Sequence, residues 1–416
     1  MRVVNALFTA NFTNDWLCAD CGEGILFISD MDGNVLGEAT WTGNASFSID
    51  LPAGLIDLSQ KVSVTTVFGG EYSDIFLITN LNVDVGASWT WGKETTEPNY
   101  GNPEDVVFEF QNIPNHESFV ISSPTVANLS SSSLPNNMSF PVRDNPLDVY
   151  LKLGTSENSG KYIWINSVTG GNRAVDLSAM TETESKSIDI DNNSDLHSLL
   201  LLGFKNPNDR NFDRFYLDIK LGFISNNSTV VVNYPTTGVF EYFTYLETYE
   251  GINITDEQWI QQVFGKIPDA LEKIEADFDF VNVSPNDFQI STTNNNFDEI
   301  LTNWELDNQN TYIEWFVFGP SDLLSYSLPA FSNAVVETYP DLQKDLLKMY
   351  STYINDYAAF DSYEEILDVL YNSPDQITDI AEDIRSRVKY YETKKSSNKK
   401  PELGIEDLFS RINHSR

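Results

Sequence analysis

One short stretch near the start of the chain limits what it can become. Gly24-Ile25-Leu26-Phe27-Ile28-Ser29-Asp30 and Val35-Leu36-Gly37-Glu38-Ala39-Thr40-Trp41 are two strand-like runs, joined by Met31-Asp32-Gly33-Asn34. An Asp-Gly turn between apolar runs is the strongest short-range hairpin signal, because the tight turn needs positive φ and Gly and Asn tolerate it. The same pattern recurs in Asn44–Leu51, Lys61–Phe68, Asp74–Thr79 and Val83–Trp91, with a Pro52-Ala53-Gly54 break between the first two. Short strands punctuated by Gly, Pro, Asn and Asp predict a small β-sandwich over residues 1–94.

Asp30, Gly33, Leu36 and Ala39, followed by Gly43, Phe47, Leu51-Pro52-Ala53-Gly54 and the run Val62–Val67, carry a family likeness. In these residues the segment resembles the carboxypeptidase-regulatory-like (transthyretin-like) β-sandwich, found in exported and surface proteins of Bacteroidota. The likeness covers about a quarter of the chain and rests on turn glycines and core apolar positions. Gly24-Ile25-Leu26 stands where the family has a Gly-x-Val lead-in, and a Cys-x-x-Cys precedes it. The resemblance implies a non-catalytic spacer or adhesion unit, located outside the cell or on the outer-membrane surface.

Beyond the polar linker 93–103, strand-like runs continue through Val106–Phe110, Ser118–Ser122, Asp148–Leu153, Lys161–Ile165, Leu199–Phe204, Arg214–Lys220, Thr229–Val232 and Val239–Leu246. Thr255-Asp256-Glu257-Gln258 then reads as a capping box. Trp259, Ile260, Val263 and Phe264 behind it share one helical face, which predicts a helical insertion near 255–276. Strands resume at Asp277–Val283 and Asp287–Thr292, and Ile300–Leu306 and Tyr312–Phe318 form a hairpin. Residues 104–330 are expected to be one larger β-sandwich or two small ones. The tail, 336–416, reads as helical. Pro340–Tyr350 is one segment. Ser362-Tyr363-Glu364-Glu365 caps a second, and Ser373-Pro374-Asp375-Gln376 caps a third with the stripe Ile377, Ile380, Ala381, Ile384, Val388. A basic linker, 394–400, and a last short helix that needs a partner, Glu402–Ile412, follow. The expected fold is therefore mainly β: tandem antiparallel β-sandwiches with a helical insertion and a helical C-terminal region.

Composition narrows function. The 416 residues carry a formal net charge of −37. Such a surface repels phosphate, so nucleic acid and anionic lipid are not expected partners. No apolar run reaches bilayer-spanning length, the longest lying near Leu199–Phe204. The opening Met1–Ala10 has one basic residue and an Asn-broken apolar stretch. It is a poor signal peptide and a better first strand. His116, His197 and His414 are the three histidines. They are too scattered for a His-based nucleophile system or a zinc centre, so a non-enzymatic role is expected. With 62 acids a glycosidase-type carboxylate pair is arithmetically available, but spacing selects none.

Three groups of residues stand out as candidate sites. Cys18 and Cys21 lack the second pair a zinc ribbon needs and precede a hairpin instead of joining strand to helix. They read as a local structural disulfide or two idle thiols. Asp189, Asp191, Asn193 and Asp195 have acid spacing suited to calcium but no turn glycine, and Asp30–Asn34 has its Gly at the wrong place for an EF-hand. Gly154–Lys161 resembles a phosphate loop, but the spacing is one residue too long and it reads as a hairpin loop. Trp89 and Trp91, two apart on one strand, share a face and make the best pair for a sugar-stacking platform. No cofactor is expected apart from calcium at that acidic stretch. The leading expectation is a surface binding or adhesion module with an unidentified glycan or surface-protein partner. The alternative is a glycan-binding or glycan-cleaving protein that uses tryptophans and carboxylates.

Overall fold

The computed structural model describes residues 6–13, 23–50, 59–69, 74–91, 104–124, 126–130, 133–142, 146–156, 159–190, 196–206, 216–224, 229–250, 257–307, 312–372 and 383–391. The chain is mainly β. Its largest element is a twelve-stranded sheet. The strand order is Tyr216–Ile224, Leu196–Phe204, Glu241–Glu250, Glu257–Gly265, Asp383–Tyr390, Lys348–Tyr357, Glu299–Asp307, Tyr312–Pro320, Ile75–Asp84, Lys61–Gly69, Gly24–Asp30, Val35–Trp41. Neighbours are antiparallel except at one joint, where Tyr312–Pro320 runs parallel to Ile75–Asp84. That joint carries the sheet across the expected boundary at 94–104, and the pairings of Glu299–Asp307 with Lys348–Tyr357 and of Glu257–Gly265 with Asp383–Tyr390 carry it across 330–336. Strands from all three expected segments share one hydrogen-bonded ladder.

Both sheet faces are layered. On the front, Ala45–Asp50, Ala6–Phe12 and Ala87–Trp91 form a three-stranded sheet. Its Phe8, Phe12, Trp89 and Trp91 pack on Leu26, Ile28, Val62 and Val64 of the large sheet. The helix Tyr363–Tyr371 lies on the same side. It adds Leu367 and Tyr371 to that core and Ile366 and Val369 to the adjoining one. On the back, Glu184–Ile190 and its partners cover Leu199, Leu201, Leu246 and Trp259. Phe278–Asn282 and Phe288–Thr292 cover Ile300, Trp304 and Trp315. Residues 104–182 make two further small sheets around Val106, Phe108, Ile121 and Leu151. This unit is tied to the large sheet by the Lys205–Asp148 ion pair at 2.6 Å and by Trp164 Nε1 donating to Thr237 O at 3.0 Å. Gly238 sits there at φ +86°, and a Cβ on it would meet Trp164 Nε1 at 2.4 Å. Only glycine fits.

The opening hairpin forms as its sequence predicts. Gly33 has φ +86°. Its N–H donates to Asp30 O at 3.0 Å, and Asp30 Oδ1 accepts the Asn34 N–H at 2.7 Å. Asp30 thus serves the turn itself. The Gly33 carbonyl also accepts the Ala330 N–H at 2.9 Å, which pins the hairpin to a segment 300 residues later. The helix Tyr363–Tyr371 is likewise capped as expected, with Ser362 Oγ accepting the Glu365 N–H at 3.3 Å and Glu365 returning a carboxylate to Asp361 N–H at 3.0 Å.

Three expected helices are corrected. Glu257–Gly265, inside the expected insertion 255–276, is a strand. Its Trp259 and Val263 face the back core while Ile260 and Phe264 face the front. A strand covered on both sides loses its alternation, and apolar residues at i, i+1, i+4 and i+5 then imitate a helical face. Within the tail read as helical, Lys348–Tyr357 and Asp383–Tyr390 are neighbouring strands. Ile384 and Val388, four apart, satisfy the strand period as well as the helical one. Residues 373–382 and 392–416 lie outside the described set.

The Asp383–Tyr390 strand also anchors the back layer by charge. Lys389 Nζ and Arg387 Nη1 reach Asp277 Oδ1 at 2.8 and 2.9 Å, and Arg387 Nε reaches Glu257 Oε1 at 3.2 Å. Burial pushes the Asp277 carboxyl up, but Lys389 and Arg387 outweigh it and hold the group below the ordinary Asp range. A depressed carboxyl stabilises the fold above its unfolded pKa, about 3.9, and that contribution is lost as pH falls through the folded value. Asp277→Asn will therefore be less stable at neutral pH. Its denaturant midpoint will fall less steeply than the native protein's between about pH 4 and pH 2. Parallel acid slopes in the two proteins would refute the assignment.

Candidate functional site

The expected sites resolve unevenly. Cys18, Cys21, Asp191, Asn193 and Asp195 lie outside the described residues. Asp189 is exposed and accepts the Thr229 hydroxyl at 3.0 Å. Among the described residues, no group of three or more His, Cys, Asp or Glu could hold a metal ion. Trp89 and Trp91 share a face, but it is the inner one: they are 3% and 2% exposed. Trp89 stacks on Tyr371 with centroids 4.1 Å apart, and Trp91 stacks on Phe12 at 4.6 Å. The platform reading of this pair is thus corrected. Rings this large gain more from core burial than from a wet face. Trp164 is the described tryptophan that is only half-buried. The Lys205 ammonium lies 4.5 Å from its ring centroid and Tyr216 meets it edge-on at 4.9 Å.

A different constellation appears at the centre of the front face. Glu299–Asp307 and Tyr312–Pro320 form the hairpin that the sequence predicts, with Asn303 opposite Phe316 and Glu305 opposite Glu314. Alternation places Asn303, Glu305, Tyr312, Glu314, Phe316 and Phe318 on one side and Trp304 and Trp315 on the other. On the far flank of Glu299–Asp307, the strand Lys348–Tyr357 pairs Ser351 with Asn303 but Met349 with Trp304. Tyr350 is therefore an extra residue, a β-bulge, and it joins the front-face cluster of Leu301, Tyr353, Val388 and Tyr390. Bulges commonly re-aim a side chain in this way. The Tyr350 and Tyr390 rings meet at 5.4 Å and 69°.

The electrostatics of this patch are unusual for a sheet. Two carboxylates stand directly opposite each other, an arrangement that destabilises a ladder. Glu305 is 9% exposed and Glu314 half-buried. Asn303 Nδ2 donates to Glu314 Oε1 at 2.9 Å, and the Tyr312 hydroxyl hydrogen-bonds Glu305. Burial first, then the negative charges of Glu314 and Glu305, push the Tyr312 phenol far above its ordinary range. It is a permanent donor. On the same face, Asn303 Oδ1 and Ser351 Oγ are buried without a hydrogen-bond partner. Each such atom costs about 1–3 kcal/mol in desolvation. Lys348 is the register partner of Glu305 and is exposed.

This patch can accept hydrogen bonds and positive charge from a ligand that also contacts aromatic rings. The sequence carries one signal for it, a Glu on each arm of the expected hairpin. What it lacked was the register that sets them opposite. No known family model matches the chain, and no curated protein is significantly similar to it.

Proposed function

We propose that this protein is a non-enzymatic binding or adhesion module whose ligand-facing surface is the Glu305–Glu314 patch, exported to the cell surface. One observation carries the binding reading. Two polar atoms beside the opposed Glu305 and Glu314, Asn303 Oδ1 and Ser351 Oγ, are buried without a hydrogen-bond partner, and a group that donates to them offsets the penalty. The large sheet suits such a role, because its floor is backed by a second layer that holds the patch rigid. The surface location is what the resemblance of residues 1–94 to the carboxypeptidase-regulatory-like sandwich implies. No described helix is long and apolar enough to cross a membrane.

A glycan platform is the second reading. It is favoured by the Phe316, Tyr350 and Tyr390 rings that border the patch, since aromatic faces stack on sugars and amides and carboxylates take their hydroxyls. A thermal-shift screen of soluble glycans, amines and peptides separates these cases. At least one ligand class is expected to raise the Tm of the native chain and to lose that effect in Glu314→Gln. If every hit acts equally on both proteins, the site is wrong.

A further inference from the structure

We propose that the back-layer patch of Phe280, Val281 and Tyr391 is the docking site for this chain's own residues 405–412. Phe278–Asn282 is an edge strand of its three-stranded sheet. It pairs Phe280 with Ile290 but Asn282 with Gln289, so Val281 is an extra residue, a β-bulge. Val281 is 57% exposed. The Tyr391 ring meets the Phe280 ring edge-on at 5.4 Å and is itself 51% exposed, although its N–H is held by Tyr350 O at 3.0 Å. Apolar residues scattered singly over a surface need no explanation, but a contiguous apolar group marks a contact surface.

Position, pattern and charge name the occupant. The described chain reaches the patch at Tyr391, and residues 392–416 continue from there. In that continuation Ile405, Leu408, Phe409 and Ile412 fall at i, i+3, i+4 and i+7, the spacing of one apolar helical face. A helix that short is marginal alone in water, so its face needs a surface to cover. A coil of thirteen residues, the length of 392–404, spans roughly 20 Å. Tethering on that scale holds a segment near its site at an effective concentration on the order of millimolar. Residues 392–416 also hold six Lys and Arg against four Asp and Glu, in a chain whose formal net charge is −37. A net-basic segment is attracted to an acidic body. Lys394, Lys395, Lys399 and Lys400 precede the apolar face, and the Asp279 side chain beside the patch is 87% exposed.

The test is hydrogen exchange of the full chain, read by mass spectrometry. Amides of 405–412 are expected to exchange about tenfold or more slowly than in the same segment as a free peptide. Val281→Asp combined with Tyr391→Ser puts a charge in the patch and removes a ring from it, and should abolish that protection. Val336→Asp places the same charge at another exposed apolar position, on the helix Asn333–Thr338, whose Ala334 N–H donates to Glu38 at 3.0 Å. It should leave 405–412 protected. Leu408→Ser combined with Phe409→Ser keeps the patch intact and uncovers it, so exchange around Val281 should quicken. Absence of protection in the native chain would overturn the docking. So would equal loss in the two patch and control variants, protection that survives the patch variant, or unchanged exchange around Val281 in the segment variant. Protection that grows with protein concentration would put the segment on a second copy and overturn docking within one chain.

Discussion

Trp315→Ala will cost about 3–5 kcal/mol, the range for deleting a fully buried tryptophan, and will loosen the N-terminal strands together with the middle of the chain. Trp315 is 0% exposed. It sits opposite Trp304 on one side and Leu77 on the other, at the parallel joint of the large sheet. Its Nε1 donates to Thr79 Oγ1 at 2.8 Å, and Thr79 is in turn 2.8 Å from Thr65 Oγ1. The indole thus closes a hydrogen-bonded chain through three adjacent strands while filling the back core against Phe331. The check is a denaturant melt combined with hydrogen exchange. Amides of Ile75–Asp84 should lose protection along with those of Tyr312–Pro320. Trp315→Phe keeps most of the volume and should cost clearly less than Trp315→Ala. Unchanged protection of Ile75–Asp84 in the alanine variant would show that the two strands do not open as one unit.

Glu299 is the second sensitive position. It is 2% exposed at the start of its strand, and its Oε2 accepts Asn355 Nδ2 at 2.8 Å and the Tyr357 hydroxyl at 2.9 Å. The helix Tyr363–Tyr371 covers this region. Burial, then the Glu299 charge, raises the Tyr363 phenol well above its ordinary range, so that hydroxyl stays protonated. Tyr371 accepts Asn80 Nδ2 at 3.0 Å. Glu299→Ala strips the acceptor from two buried donors and opens a cavity, so a loss of about 3 kcal/mol or more is expected. Glu299→Gln retains an acceptor oxygen and sheds a buried charge, so it should stay within about 1 kcal/mol of native. Chemical denaturation of both variants checks this. If glutamine is as damaging as alanine, the charge itself holds the cluster and the hydrogen-bond account fails.

Much of the local structure was legible because it depends on nearest neighbours. Asp30 and Gly33 build their turn from their own side chain and φ. Ser362 caps its helix by accepting the Glu365 N–H, and the Glu365 carboxylate accepts the Asp361 N–H. The hairpin of Glu299–Asp307 with Tyr312–Pro320 follows from two runs and a polar loop. Reading failed where both faces of a strand are covered. Glu257–Gly265 and Asp383–Tyr390 lie near the middle of the sheet, so their apolar positions carry no period of two that a helix could not mimic. Trp89 and Trp91 failed differently. Their shared face was readable, but whether it points to solvent depends on Phe8, Phe12 and Tyr371, the last of these 280 residues away.

The candidate site shows the same division. The residue types of the Glu305–Glu314 patch and the hairpin that carries them are properties of about twenty consecutive residues, set by propensity and turn chemistry. Two things came from long-range packing: the bulge that turns Tyr350 toward the opposed acids, and the burial that leaves Asn303 Oδ1 and Ser351 Oγ without partners. The bulge and the buried Ser351 depend on the Lys348–Tyr357 strand joining the sheet from more than 40 residues downstream. Pairing energy between distant strands is not encoded in either strand alone, because β-structure is decided by what each face meets.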